Sequence, residues 1–233
     1  MSEAPSCDTP TELTSLGQRL PRLAEALGRS GDISIVAIGS SSTFGEGASP
    51  GNGYVDKLAT ALAGRFPGRK INMHNAGVNG DEAPNEAARF KKEVISLNPS
   101  LVIWQVGTNA AWKDYFLDDV GAAIIRGIDH LSEAKADLVL MNPQYAPALL
   151  QKDETPTAAT QEMLRIIETI AAEHDVALFR RFEIMRYWHI KRGIPINQMI
   201  SNFDGNWLHQ NDWSYNCIAQ ALCDGLAEAA VPD

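Results

Sequence analysis

The run Ile33-Ser-Ile-Val-Ala-Ile38 stops at Gly39, and small residues follow at once: Ser40, Ser41, Ser42, Thr43, Gly45 and Gly47. A short apolar run rich in β-branched residues and closed by glycine reads as a strand buried in a parallel sheet. The Gly/Ser cluster then lies at the carboxyl end of that strand, where open α/β sheets bind their ligands. A hydroxyl among glycines leaves room for a substrate carbonyl and for backbone N–H donors, so Ser41 is a candidate nucleophile. Taken alone, the same cluster also fits a phosphate-cradling or structural turn.

The rest of the chain repeats the strand-then-helix pattern. Ile33–Ile38 leads to a helix over Tyr54–Phe66, and Ile71–Asn75 to one over Asn85–Leu97. Leu101–Val106 leads to a helix over Val120–Ala134, and Leu138–Met141, after a longer loop, to one over Thr157–His174. Ala177–Phe179 leads to helical segments over Phe182–Lys191 and Asp212–Ala229. Five short strands separated by helices predict a three-layer α/β/α domain with a parallel sheet. Ahead of it, Leu13, Leu16, Leu20, Leu23 and Leu27 share one helix face, interrupted by Gly17 and Pro21. The chain therefore divides into a polar, loose arm with a short or kinked leading helix over residues 1–30, and one domain over 31–233.

With a net charge of −9 and a pI near 5.0, the surface disfavours nucleic acid and anionic membranes as partners. No apolar run approaches the ~18 residues that a membrane-crossing helix needs. The opening residues lack a basic n-region and an apolar h-region, so a complete chain is expected in the cytoplasm. If an export signal once preceded Met1, a periplasmic or secreted location is expected instead. Cys7, Cys217 and Cys223 show no zinc spacing. Two readings stand: free or buried thiols, or a Cys7–Cys217 bridge tying the arm to the last helix, which would need an oxidising compartment. His74, His130, His174 and His189 have no partners at metal-ligand spacing, so no metal is expected.

Three further segments stand in order after the first strand. They are Asn75-Ala-Gly-Val-Asn-Gly80, Val106-Gly-Thr-Asn109, and Leu208-His209-Gln-Asn-Asp-Trp-Ser-Tyr215. With Gly39–Gly47, they resemble the four blocks of the SGNH (GDSL-like) hydrolase family over about Ile33–Leu226, with Ser40 where many members carry Asp. The resemblance implies a flavodoxin-like strand order, 2-1-3-4-5, with Ser41 as nucleophile and His209 as base. It implies an oxyanion hole formed by Ser41, Gly80 and Asn109, and no cofactor. The implied activity is serine ester hydrolysis of short acyl esters, such as O-acetyl groups on carbohydrate. A catalytically weakened carbohydrate-binding protein and an acyltransferase are the alternatives.

The family usually places its acid three residues before the histidine, and that position here is Asn206. The nearest upstream carboxylate is Asp204, as though Asn206-Trp207 had been inserted. Either Asp204 reaches His209 through a turn that Gly205 permits, or Asn206 orients the imidazole as a neutral acceptor. Asp204 is preferred, because an amide in place of the acid can cost ~10⁴ in rate. Among the neighbours, Glu46, Ser49, Gln105, Trp112, Tyr115 and the loop Asn142–Pro147 are candidates to line or shape the site. Asn52 suits a helix cap, and Asp81 and Glu82 suit the first turn of a helix by charge–dipole attraction. Trp104 reads as core.

Overall fold

A computed structural model describes residues 4–113, 115–132 and 134–231 of the chain. Residue 133 of the helix expected over Val120–Ala134, and the outermost residues of both expected regions, lie outside the described residues. The elements run α1 (Thr11–Thr14), α2 (Pro21–Gly28), β1 (Asp32–Gly39), α3 (Ser41–Phe44), α4 (Tyr54–Arg65) and β2 (Lys70–Gly77). They continue with α5 (Ala83–Glu93), β3 (Leu101–Gln105), α6 (Thr108–Trp112), α7 (Leu117–Ser132) and β4 (Asp137–Met141). Then come α8 (Ala158–Glu173), β5 (Ala177–Phe179), α9 (Arg181–Arg192) and α10 (Asp212–Ala229).

The five strands form one parallel sheet in the order β2-β1-β3-β4-β5. Alternation along the strands builds two cores, because successive side chains point to opposite faces. Ile33, Ile35, Ala37, Leu101, Ile103, Val139, Met141 and Phe179 pack under α2, α4, α9 and α10. Val36, Ile38, Val102, Trp104, Leu140 and Leu178 pack under α5, α7 and α8. β2 is one edge, with exposed Lys70 and half-buried Asn72 both bonded to Asp32 at its neighbour's start. Trp104 is core as expected: its ring meets Phe90 edge-on at 4.6 Å, and its indole N–H donates to buried Glu86 at 2.7 Å. Gly127 on α7 is required there, since a Cβ would come within 2.3 Å of the Trp104 ring.

The boundaries differ from the sequence expectation at instructive places. The leading helix is two short ones: the chain turns at Gly17, in a left-handed conformation, and restarts at Pro21, the first residue of α2. α3 and α6, one turn each, directly follow β1 and β3 where loops were expected. Asn52 does not cap α4; Gly53 precedes that helix, and the Asn52 amide bonds Ser49 instead.

The arm is not loose over its described residues. Trp213 donates to the Pro5 carbonyl and Trp188 to Thr9 Oγ1, both at 3.0 Å, and the two indoles meet edge-on. Cys7 is bonded to Cys217 on α10, whereas Cys223 is free and buried. Peptide mapping without reductant is expected to find the Cys7 and Cys217 peptides linked, with Cys223 alkylated only after unfolding. Ready alkylation of all three thiols in the native, unreduced protein would contradict the bridge.

Candidate active site

β1, β2 and β3 all end at one edge of the sheet, and each hands the chain to a tight glycine turn there. After Gly39, Ser40 is extended and α3 makes a single turn before Gly45 enters the left-handed region. The three serines therefore face three ways. Ser40 Oγ donates inward to Gln105 Oε1 at 3.0 Å, and Ser42 Oγ to Gln144 Oε1 at 3.4 Å. Ser41 Oγ faces His209 Nε2 at 2.9 Å. Gln105, in the third strand, also accepts the Ser40 backbone N–H, so this buried amide holds the turn that presents Ser41.

The second block lies against the first. Asn75 Nδ2 donates to the Thr43 carbonyl at 2.8 Å, and its Oδ1 accepts the Gly77 N–H. A Cβ at Gly77 would strike Phe44 N at 2.2 Å, so only glycine lets β2 end so close to α3. Gly80 follows at φ 85° and faces the same cleft.

The third block is held by a residue whose role the sequence concealed. Buried Glu82 accepts the N–H groups of Gly107 at 2.9 Å and Ala110 at 2.7 Å, besides that of Ala83 at the start of its own helix. It thus clamps both sides of Asn109, a tie across 28 residues rather than a simple charge–dipole contact. Burial pushes the Glu82 carboxyl above its ordinary value. Burial and neighbouring Glu82 push that of Glu86 well above. Asn109 Nδ2 donates to the Asp81 carbonyl at 2.8 Å, and its second N–H remains for a ligand.

The loop bearing His209 closes the site. Ser201 N donates to the His209 carbonyl at 2.8 Å, and a Cβ at Gly47 would meet Gln210 O at 2.5 Å, so the loop lies directly on Gly47. Asn211 caps α10 by accepting the Ser214 N–H. Two left-handed residues, Gly205 and Trp207, fold the extra length back on itself. Asp204 Oδ2 thereby comes within 3.2 Å of His209 Nδ1. The ring N–H is not aimed squarely enough to complete a hydrogen bond, so the contact is mainly one of charge. Asn206 does not reach the ring: its backbone and side-chain N–H groups donate to the two Asp204 oxygens, each at 3.0 Å.

The electrostatics follow from burial. Desolvation holds the His209 imidazole below its ordinary value, against the opposing pull of Asp204 and Glu46. Burial alone would raise the Asp204 carboxyl, but the Asn206 N–H groups and His209 together bring it below the usual range. Among the described residues no group of three or more His, Cys, Asp or Glu is placed to hold a metal ion.

These residues border a cleft of about 260 Å³. Ser41, Gly80, Asn109 and His209 lie along it, with Glu46, Asn79, Trp112 and Phe203 among its walls. Glu46 is fixed by Asn79 at 2.7 Å. Trp112 lines the cleft, while Tyr115 and Ser49 do not. The loop Asn142–Pro147 is not a wall either, since Gln144, Tyr145 and Ala146 are fully buried. Gln144 and the buried Arg181 beneath it were missed in the sequence. A glutamine between two prolines after a strand was the available signal for the first, and nothing separated Arg181 from adjacent Arg180.

The fold and the sequence both have relatives. An acetylxylan esterase of Geobacillus stearothermophilus is 26% identical over 153 residues, covering 60% of this chain and 68% of that protein. The solved structure of Axe2, an acetylxylan esterase from the same organism, matches with a TM-score of 0.67 at 20% identity, over 81% of this chain and 91% of that one. TesA matches with a TM-score of 0.67 at 17% identity, over 84% and 99% of the two chains. A two-domain esterase active on acetylated mannans matches with a TM-score of 0.71 at 17% identity, over 94% of this chain and 56% of that one. At such identities the structural likeness is one of fold. A family model matches residues 6–231, nearly the whole length, and the chain, which reads Gly39-Ser40-Ser41 where GDSL-like members often carry Asp in the middle position, belongs to the Non-GDSL lipase-like family.

Proposed function

We propose that the protein is a serine carboxylic ester hydrolase that removes short acyl groups, acetyl among them, from carbohydrate. The observation that carries this reading is the 2.9 Å contact between Ser41 Oγ and His209 Nε2, in a cleft shared with Gly80 and Asn109. A neutral imidazole within hydrogen-bond reach of a hydroxyl is what general-base activation needs. In this reading His209 Nε2 takes the Ser41 proton as Oγ attacks the ester carbonyl. The Ser41 and Gly80 backbone N–H groups and the free N–H of Asn109 Nδ2 receive the oxyanion. His209 then gives its proton to the departing alcohol, and water, activated in the same way, releases the acid.

Asp204 is the orienting acid in this proposal, and Asn206 serves it by holding its two oxygens. The small cleft suits a short acyl group, and Trp112, with Lys113 Nζ 5.2 Å over its ring, forms part of its wall. The acetyl-ester activity named for the esterase relatives supports the same substrate class. The Cys7–Cys217 bond supports an oxidising, exported location over the cytoplasmic one.

Ser41→Ala is expected to cut turnover of p-nitrophenyl acetate by at least ~10³ with the circular dichroism spectrum unchanged. Ser40→Ala and Ser42→Ala should keep most activity. A wild type no faster than Ser41→Ala would instead describe a binding protein.

The orienting group has its own signature. Asp204→Asn should lower kcat by up to ~10⁴. Asn206→Asp should lower it too, by ~10–100-fold, because a donor to Asp204 becomes a second negative charge. A rise in activity in Asn206→Asp would make residue 206 the orienter and Asp204 a bystander.

The base must be neutral to act, so kcat/KM should fall tenfold per pH unit on the acid side. Burial lowers the His209 value, so the midpoint of that fall belongs below 6.5. Asp204 raises the His209 value, so in Asp204→Asn the acid limb should move to still lower pH. A midpoint above 6.5, or an upward shift in the variant, would count against the assignment.

A further inference from the structure

Three parts of the site converge on one side chain outside it. Gln144 Oε1 accepts from Ser42 Oγ at 3.4 Å, Thr108 Oγ1 at 3.1 Å and Arg181 Nη2 at 2.8 Å. Gln144 Nε2 donates to the Leu208 carbonyl at 2.9 Å. Ser42 follows Ser41, Thr108 precedes Asn109, and Leu208 precedes His209. A single fully buried amide therefore joins the nucleophile turn, the oxyanion helix and the base loop.

An amide fits its surroundings either way round unless something distinguishes its oxygen from its nitrogen. Arg181 does so. It is fully buried and its guanidinium only donates, so the Gln144 oxygen faces it, while the Leu208 carbonyl only accepts and takes the nitrogen; the two ends fix the amide together. Arg181 Nε is anchored on the Asn142 carbonyl at 3.1 Å, while Nη1 has no hydrogen-bond partner. No carboxylate pairs with Arg181 among the described residues, and burial drags its value down to about 10. A buried guanidinium without a carboxylate partner is a poor choice for stability alone, since burial strips its hydration with no opposite charge to offset the loss.

We propose that Gln144, held at its oxygen by Arg181 and at its nitrogen by the Leu208 carbonyl, is a positioning residue that sets the reach of His209 to Ser41. The proposal rests on the Ser41–His209 reading of the site. It touches no reacting atom; it acts through the Leu208 carbonyl, one residue before the base.

Gln144→Glu separates positioning from packing. The glutamate keeps the shape, keeps an acceptor for Ser42, Thr108 and Arg181, and gives Arg181 a counter-charge. It also sets a carboxylate oxygen against the Leu208 carbonyl, which pushes the base loop away. With p-nitrophenyl acetate the expected result is a thermal midpoint at or above that of the wild type, KM within about threefold, and kcat lower by ~10–100-fold, as for a ~1 Å misplacement. Arg181→Met, which takes the cationic donor from the Gln144 oxygen and loosens the hold of the amide on the Leu208 carbonyl, should lower kcat similarly while remaining folded, and carries the test if Gln144→Glu does not fold. A folded Gln144→Glu or Arg181→Met with wild-type kcat overturns the proposal. So does a loss of activity that only follows a loss of folded protein, or the failure of both variants to fold. Wild type and Ser41→Ala assayed alongside keep the two claims apart: a wild type without Ser41-dependent activity defeats the esterase reading itself.

Discussion

The hydrogen bond between His209 Nε2 and Ser41 Oγ joins segments 168 residues apart, and much of the molecule serves to place its two ends. One end is the single turn of α3, fixed by Gln105 beneath and by Asn75 and Gly77 of β2 beside it. The other end is a loop resting on Gly47 and tied into α10 by its Asn211 cap. The parallel sheet makes the meeting possible, because it brings the carboxyl ends of β1, β2 and β3 to one edge, where the loop that precedes α10 places His209.

What lies beneath that edge is polar where a core is ordinarily apolar. Gln105, Thr108, Gln144, Arg181 and Glu82 are all buried, and they bond mainly to backbone and hydroxyl groups of the site segments. Buried polar groups are costly unless bonded, but hydrogen bonds have direction, which apolar packing lacks. A loop held by a carboxylate on two backbone N–H groups three residues apart, as Glu82 holds Gly107 and Ala110, has little freedom to drift. The arrangement trades stability for precision of placement.

The central strands were legible because buried parallel strands are near-continuous apolar runs, as Leu101–Gln105 and Ile33–Ile38 are, whereas edge strand β2 alternates apolar with polar residues. Ser41, Gly80, Asn109 and His209 were singled out through the resemblance to the four SGNH blocks, and the structure brings them to one cleft. Whether Asp204 or Asn206 approaches His209 was not, because it turns on Trp207 adopting a left-handed backbone that an indole residue rarely takes. Glu82 looked like a helix-start acid because its partners lie on another helix. Arg181 and Arg180 are identical in a one-dimensional reading; only the direction of the chain leaving β5 sends the former inward and the latter toward solvent. The Cys7–Cys217 bond needed the arm's course over Trp188 and Trp213, which no local pattern foretells.

The most direct measurement is the site and rate of labelling by a fluorophosphonate, read by mass spectrometry on the wild type and on His209→Ala. With Ser41 activated by His209, the wild type carries one adduct, on Ser41, and labelling of His209→Ala is slower by orders of magnitude. An adduct on Ser40 or Ser42, or equal labelling rates in the two proteins, would contradict the pairing of Ser41 with His209.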